Sequence, residues 1–327
     1  MSMQKKLLQL FFALLSCFLF TGCRTSTSPQ KTPGSQAITI EGEAIQQEAS
    51  ALESALQPAY SMVIKPEASG TSVAVNEYAT IDYSHTEDGY VMIQFTADSG
   101  QRLKSQVVGP STTYTYNLTQ GEWTVFPLSD GNGTYTVKVY ENISGNRYAQ
   151  VLAVDMEVLL TDEFAPFIRP NQYVNYENAS VTVNTASELT RGVDDVLEKV
   201  TLIYNYVVTG LSYDYEKAAT VQSGYLPDLD AVLAEGKGIC FDYAALMTGM
   251  LRSQGIPCKL IVGYAGTAYH AWIDVWSPET GWVDGAIFFD GTTWQRMDPT
   301  FASSGGDNPS AMEFIGNGEN YTTKYIY

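Results

Sequence analysis

The spacing of the apolar residues changes near the middle of this chain, and no other feature constrains the fold as much. Between Ser61 and Leu160 apolar and polar residues alternate, in segments rich in Val, Tyr, Thr and Ile. Such alternation predicts β-strands, and Asp-Gly and Asn-Gly pairs separate the segments. The predicted strands are 90–96, 112–118, 134–140 and 147–159. Short strands at this regular spacing indicate a small all-β sandwich.

The second half has the spacing of helices followed by strands. Apolar residues from Val193 to Val207 recur on one helical face, and Gly210 stands where that helix would end. The other predicted elements are helices at 230–235 and 240–251 and strands at 259–264, 269–276, 286–289 and 292–297. The last two strands flank Asp290-Gly291, a strong hairpin signal. Helices first and antiparallel strands second make an α+β plan.

The start of the chain has the composition of an export signal. Lys5 and Lys6 precede an apolar run, 7–20, that is short for a membrane span. The run leads into Thr21-Gly22-Cys23, which resembles the bacterial lipobox. We therefore expect removal of residues 1–22 and lipidation of Cys23, giving an extracytoplasmic lipoprotein anchored to the cell membrane. The alternative is an ordinary signal peptide with a chance cysteine.

These patterns divide the chain into five segments. They are a lipoprotein signal peptide (1–22), a flexible tether with a short helix near 44–56 (23–60), a β-sandwich domain (61–160), a linker (161–185) and a second, α+β domain (186–327). The tether is polar and has little to bury, as is typical of a flexible connection.

The charge of the mature chain excludes one class of partner. Loss of the two leader lysines from 18 basic residues leaves 16 against 36 acidic residues, a net charge of −20. Nucleic acid is therefore not an expected partner. We also expect no metal or cofactor, because the second domain has one histidine and two distant cysteines, without the paired spacing of a zinc site.

Cys240 is the candidate nucleophile because it opens a predicted helix directly after a glycine-bearing turn. Free N–H groups and the helix dipole at that point stabilise a thiolate and can receive an oxyanion. Cys258 is the rival, but it follows Pro257 among apolar residues, where an inert buried thiol is expected. A disulfide between the two cysteines is a further alternative in an oxidising compartment.

His270 is the candidate base, since the only other histidine, His85, lies in a turn of the first half. On its strand His270 shares a face with Asp274, which is four residues along and roughly 13 Å away, too far to orient it. Asp284 and Asp290 belong to turns. This leaves Asp298, which can lie across from His270 on a neighbouring strand. A lone strand histidine more often makes a structural contact, so Cys240 and Asp298 carry the assignment.

Four short pieces of the sequence together resemble the transglutaminase-like, or transglutaminase core, superfamily. They are Gly238 to Ala244, Leu251 to Pro257, His270 to Trp272 and Asp298 to Thr300. The resemblance runs from about Val193 to Phe301 and implies a papain-like fold with a Cys240, His270 and Asp298 triad. The stretch between His270 and Asp298 is longer than in the shorter members. The calcium dependence of animal transglutaminases is not carried over, because no loop has calcium-binding spacing.

The resemblance also implies an upstream side chain that donates to the oxyanion. The open candidates are Tyr204, Tyr206, Tyr213, Tyr215 and Tyr225. Four residues are expected to border the substrate cleft: Asp242, Trp272, Tyr213 and Tyr225.

The expected chemistry is attack on amide bonds of a protein or peptide substrate, such as cell-wall peptide, through a thioester. Hydrolysis by a cysteine protease or amidase is favoured over amine transfer by a transglutaminase. A non-catalytic surface-binding or scaffold protein is the third alternative.

Overall fold

The computed structural model of the chain describes residues 59–283, 287–289, 294–296, 298–300, 303 and 317–327. The predicted signal peptide, Cys23 and the short helix near 44–56 lie outside these residues. The described residues all fall within one compact unit. The division into a sandwich domain, a linker and a second domain stays a prediction.

Two antiparallel four-stranded sheets make up the first part of this unit. The first sheet contains, in spatial order, β1 (Val73–Val75), β2 (Ala79–Asp82), β3 (Tyr90–Phe95) and β6 (Thr124–Pro127). The second contains, in spatial order, β5 (Thr113–Leu118), β4 (Leu103–Val108), β7 (Gly133–Ser144) and β8 (Arg147–Val158). Residues from both sheets, among them Ile93 and Val137, are fully buried in one hydrophobic core. The predicted sandwich is confirmed.

Within these two sheets, β1, β2, β4 and β6 were not predicted, and they are short or carry a polar residue on their inner face. In β4 the residues Leu103, Ser105 and Val107 all point inward, and Ser105 is fully buried. A serine at the central inward position hides the apolar alternation, because the inner and outer positions then look alike in sequence.

Five helices lie between the sandwich strands and the final sheet. They are α1 (Ser180–Leu189), α2 (Val196–Gly210), α3 (Tyr215–Thr220), α4 (Leu229–Glu235) and α5 (Cys240–Arg252). Asp195 caps α2 by accepting a hydrogen bond from the Glu198 N–H at 2.8 Å. The predicted helices α2, α4 and α5 are confirmed, with starts that differ by up to three residues.

Helix α1 was not predicted, and it begins inside the segment 161–185 that was expected to be a linker. Its first turn is capped by a residue distant in sequence: Asp230 accepts from the backbone N–H groups of Val181 at 3.1 Å and Thr182 at 2.8 Å. A cap supplied from another helix leaves no local sequence signal.

Helix α5 is the centre of the second half. Every residue from Asp242 to Arg252 is buried, with α1, α2 and α4 packed on one side and two sheet strands on the other. A helix enclosed in this way is expected to be apolar on all sides, and here the charged side chains of Asp242 and Arg252 lie near its two ends.

The final sheet is antiparallel and packs against α5. Its spatial order is β13 (Gly281–Val283), β12 (Ala268–Ser277), β11 (Cys258–Ala265) and β16 (Tyr321–Ile326). Two smaller pairs accompany it: β9 (Ser212–Tyr213) with β10 (Lys237–Gly238), in parallel, and β14 (Ile287–Phe289) with β15 (Trp294–Arg296). The predicted hairpin pairing of β14 and β15 is confirmed, although its turn lies outside the described residues. The α+β class is confirmed.

Candidate active site

The start of α5 places Cys240 at the edge of the core. The carboxylate of Asp242 accepts a hydrogen bond from the Ile239 N–H at 2.8 Å and fixes the entry of the chain into the helix. Cys240 and Phe241 are half-buried, and the residues from Asp242 onward are buried. The free N–H groups of the first helical turn therefore lie beside a thiol that solvent can reach.

His270 lies on β12 and joins the thiol to a carboxylate. Its Nε2 is 2.5 Å from Asp298 Oδ2, and both side chains are almost completely buried. The Cys240 side chain is close enough to His270 for a hydrogen bond with it to be among the causes that raise the His270 pKa. Because Nε2 faces Asp298, this second contact leaves Nδ1 for the thiol. The structure thus brings together the three residues predicted from the sequence.

The pKa of His270 reflects two opposing effects. Burial lowers it, but the charge of Asp298, together with hydrogen bonds from Asp298 and Cys240, outweighs burial and raises the pKa to about 10. An imidazole with so strong an affinity for a proton is suited to accept one from Cys240 and to hold it.

Asp298 reaches His270 by a different route from the one expected. Strand β12 pairs with β11 and β13, whereas β15, which precedes Asp298, pairs with β14. Within the described residues, the contact between Asp298 and His270 therefore does not come from pairing of β15 with β12, although Asp298 was expected across from His270 on a neighbouring strand. The carboxylate is held instead by the Thr300 N–H at 3.0 Å from Oδ1 and by the Tyr321 hydroxyl at 3.4 Å from Oδ2.

The rival acids lie elsewhere. Asp274 is on the same strand as His270, and its partner across the sheet is Lys259, whereas the partner of His270 is Gly263. Asp284 and Asp290 lie outside the described residues.

A cleft of about 570 Å³ opens over Cys240 and His270. The described residues that line it include six tyrosines: Tyr173, Tyr213, Tyr225, Tyr269, Tyr325 and Tyr327. No aspartate, glutamate, lysine or arginine is among its described lining residues. The cleft is therefore an aromatic and uncharged environment around one nucleophile and one base.

Residues 183–299, which contain all three of these side chains, match the transglutaminase-like superfamily. We call this matched segment the transglutaminase-like core. The agreement between the matched segment and the geometry of Cys240, His270 and Asp298 supports a papain-like arrangement for the core.

Three individual proteins resemble parts of the chain. The uncharacterised protein YebA of Bacillus subtilis is 29% identical over 118 residues, which cover 30% of this chain and 16% of YebA. A protein-glutamine gamma-glutamyltransferase of Pseudomonas aeruginosa is 35% identical over 60 residues, 14% of this chain and 9% of that protein. A candidate cysteine protease structure from Cytophaga hutchinsonii is 14% identical, with a TM-score of 0.36, and the match covers 73% of this chain and 83% of that one. The chain thus spans a small fraction of its two curated relatives.

The four predicted cleft residues occupy two different environments of the transglutaminase-like core. Tyr213 and Tyr225 line the cleft. Asp242 and Trp272 are buried behind it, because Asp242 caps α5 and Trp272 packs edge-on against Tyr321 at a centroid distance of 5.2 Å. Asp242 and Trp272 therefore pack behind the residues that line the cleft.

Asp242 also ties one wall of the cleft to the catalytic helix. Its Oδ1 accepts from the Tyr225 hydroxyl at 2.6 Å and its Oδ2 accepts from Lys217 Nζ at 2.8 Å. Lys217 Nζ is in turn 2.5 Å from the Tyr225 hydroxyl. Lys217 was not singled out from the sequence, because a partner on another helix cannot be identified from spacing. We call these three residues the wall clamp.

Among the five upstream tyrosines, Tyr213 combines access to the cleft with proximity to the thiol. Burial and then the charge of Cys240 raise the pKa of Tyr213 to about 12, so its hydroxyl stays protonated. Tyr204 is buried on α2, and burial and then the charge of Asp298 raise its pKa.

The residues set aside in the sequence lie apart from this chemistry. Cys258 is fully buried, and burial raises the pKa of its thiol to about 12; it is not disulfide-bonded to Cys240. His85 contacts Asp88 at 3.2 Å and stacks on Tyr90. In the part of the chain that the structure describes, no three His, Cys, Asp or Glu side chains are grouped so as to hold a metal ion.

Proposed function

We propose that the transglutaminase-like core is a thiol enzyme that cleaves amide bonds of protein or peptide substrates through a covalent thioester on Cys240. The observation that carries this proposal is the buried His270–Asp298 pair in contact with a half-buried thiol at a helix start. Burying such a pair costs free energy unless each partner is satisfied, and here Asp298 accepts from the Thr300 N–H while His270 contacts the nucleophile.

The proposed reaction has two stages. His270 takes the Cys240 proton, and the thiolate forms a bond to the amide carbonyl carbon while the carbonyl oxygen becomes an oxyanion. The N–H groups at the start of α5 donate to that oxyanion, and we assign the Tyr213 hydroxyl as the second donor. His270 then protonates the leaving amine as the C–N bond breaks, which leaves a thioester.

In the second stage an acceptor attacks the thioester. His270 takes a proton from the attacking water or amine, the C–S bond breaks, and His270 returns that proton to Cys240. Water gives a carboxylic acid and an amine gives a new amide. We favour water. Amine transfer is the second candidate, and the similarity to the Pseudomonas glutamyltransferase favours it. A non-catalytic scaffold explains less well why Asp298 is placed beside His270, where it raises a pKa that burial alone would lower.

The decisive measurement is acylation of the protein by p-nitrophenyl acetate. We expect a burst of p-nitrophenol and one acetyl group on Cys240, located by mass spectrometry of its peptide. Cys240→Ala should remove the burst, and Cys258→Ala is the matched control that should retain it. An acetyl group on Cys258, or no burst at all, would contradict the proposal.

The acceptor is identified from the same acyl-enzyme. Adding a primary amine such as glycine ethyl ester divides the acetyl group between acetate and an amide. We expect acetate to dominate at millimolar amine. Predominant amide formation would assign amine transfer instead.

We also propose that the protein acts outside the cytoplasm, anchored by lipid on Cys23. This rests on Lys5, Lys6 and the apolar run before Thr21-Gly22-Cys23. Among the described residues, no helix has the length and apolar character needed to cross a membrane. Labelled palmitate should be incorporated by the wild type and not by Cys23→Ala, and labelling that persists in the variant would exclude this anchor.

A further inference from the structure

Strand β5 (Thr113–Leu118) is an edge strand of the second sandwich sheet. It lies at the end of the sheet order, beside β4. Its side chains alternate strictly, with Thr113, Thr115 and Asn117 exposed and the intervening residues buried. An edge strand has one row of backbone N–H and C=O groups that the sheet itself leaves unpaired.

The hydrogen bonds around β4 show which groups of β5 form that row. The Asn142 N–H donates to the Arg102 carbonyl, so Arg102 and every second residue after it face β7. Ser105 therefore faces β5, where its partner is Tyr116. The backbone groups of Tyr116 point into the sheet, and those of Thr115 point away from it.

Asn117 gives independent support for this assignment. Its backbone carbonyl accepts a hydrogen bond from Gln172 Nε2 at 2.8 Å, from outside the sheet. Asn117 and Thr115 are two residues apart and have the same orientation. The outer row is thus occupied at Asn117, while the Thr115 N–H and C=O have no hydrogen-bond partner in the described part of the chain.

The free section of this row borders the active-site cleft. Thr115 lines the same cleft as Cys240 and His270. The cleft wall also touches β5 directly, because a Cβ placed on Gly224 would lie 2.0 Å from the Asn117 side-chain nitrogen. The sandwich therefore contributes a strand edge to a site whose reactive groups all come from the transglutaminase-like core.

We propose that the outer edge of β5 binds the acyl donor as an added β-strand, with the Thr115 N–H and C=O pairing to the backbone of an extended peptide. This strand addition rests on the proposed function, because the pairing would hold the peptide in the register that places an amide at Cys240. Backbone pairing gives affinity without a required sequence, and the surrounding pockets then select side chains. The aromatic, uncharged lining favours a donor whose flanking residues are uncharged.

The test uses covalent capture, which does not depend on turnover. The probe is an N-acetylated, C-amidated nonapeptide of alanine and serine whose central side chain carries a chloroacetamide. The Cys240 thiolate forms the S–C bond and chloride leaves. Iodoacetamide is the matched small probe, because it reaches the thiol without touching β5.

Thr115→Pro removes the N–H and obstructs the edge, while Thr115→Ala keeps both backbone groups. We expect Thr115→Pro to lower the capture rate of the nonapeptide about tenfold or more and to leave iodoacetamide within about twofold. Thr115→Ala should be close to wild type with both probes. Nonapeptide capture within twofold of wild type in Thr115→Pro, or an equal loss with both probes, would overturn the proposal.

A second measurement on the wild-type protein avoids any folding defect of the proline variant. Single backbone N–H groups of the nonapeptide are replaced in turn by ester oxygens. Strand addition predicts loss of capture at every second position, and a flat profile would rule it out. A change in sedimentation mass with Thr115→Pro would mean that β5 pairs with a second copy instead. Failure of iodoacetamide to modify Cys240 selectively would instead count against the proposed function itself.

Discussion

The polar groups at one end of helix α5 are buried and paired, whereas those at the other end face an open cleft. At the C-terminal end Arg252 is fully buried, and its guanidinium donates to the carbonyl oxygens of Cys258, Arg169 and Tyr327 at 2.7 to 2.9 Å. At the N-terminal end the first-turn N–H groups and the Cys240 thiol border an open cleft.

This contrast shows how one helix serves both stability and chemistry. Around Arg252 donors and acceptors are matched, and the nearby Cys258 thiol is kept protonated by burial. Around Cys240 the N–H groups at the start of α5 have no carbonyl partner within the helix and can donate to a substrate oxygen. The two thiols therefore differ through solvation and local donors, since their residue type is the same.

The largest expected difference is in the reactivity of the two cysteines. With a pKa of about 12, Cys258 is a thiolate in only about one molecule in 10⁵ at pH 7, and it is buried as well. A short iodoacetamide pulse should modify Cys240 at least ~1000-fold faster, as measured by mass spectrometry of the two peptides. In urea the two labelling rates should converge. Faster labelling of Cys258 than of Cys240 in the folded protein would contradict the proposed difference between the two thiols.

Asp298→Asn should lower acylation of Cys240 roughly ten- to a thousand-fold. An amide cannot stabilise the imidazolium, although a thiol enzyme depends on this group less than a serine enzyme does. Single-turnover kinetics with p-nitrophenyl acetate measure the effect on variants whose thermal melting is intact. Asp274→Asn is the matched control on β12 and should lower the acylation rate far less. A larger loss of rate in that control would show that Asp274, not Asp298, is the third residue of the triad.

Arg252→Met should destabilise the fold by about 3 kcal/mol in the free energy of unfolding. The substitution keeps most of the volume but removes the guanidinium donor from the carbonyl oxygens of Cys258 and Arg169, whereas that of Tyr327 still accepts from the Leu260 N–H. Urea denaturation of the purified protein measures it. Arg191→Met, which removes an exposed partner of Glu188, is the control and should leave the midpoint nearly unchanged. Equal midpoints in the two variants would show that the buried end is not a stabilising centre.

The charge on His270 should make stability depend on pH. Because its folded pKa is raised to about 10, its contribution is fully present below the unfolded value of about 6.5 and is lost as pH rises from there through about 10. Thermal melting should therefore fall over that window. The decrease in melting temperature with pH should be smaller in Asp298→Asn, because the largest cause of the raised His270 pKa is gone. An unchanged pH dependence in this variant would exclude His270 as its source.

Tyr225→Phe should give the smallest effect. It removes the hydroxyl of the wall clamp without removing the ring that lines the cleft. We expect about a fivefold rise in KM for a peptide substrate at nearly constant kcat, corresponding to about 1 kcal/mol. Tyr215→Phe is the control, since that ring is largely exposed. A loss confined to kcat would place Tyr225 in the chemistry instead.

Much of this site could be predicted because its signals are local. Cys240 opens a helix after a glycine turn, and only one histidine lies in the same half of the chain. The part that could not be predicted depends on residues far apart in sequence. Asp230 caps the distant helix α1, and Lys217 on α3 contacts Asp242 on α5. Asp298 contacts His270 although β15 and β12 are not paired in the described part of the chain. No periodicity records such contacts, because each is specified by packing.

Strand β16 has a consequence for the order in which the enzyme matures. It pairs with β11, a long way back along the chain, and it supplies Tyr325 to the cleft and the Tyr321 hydroxyl to Asp298. Pairings between distant segments close late in folding, because their loop entropy is paid before the contacts form. Until β16 has paired, the chain therefore lacks the Tyr325 side of the cleft and the Tyr321 hydroxyl beside Asp298, so the complete site requires the C-terminal strand in place.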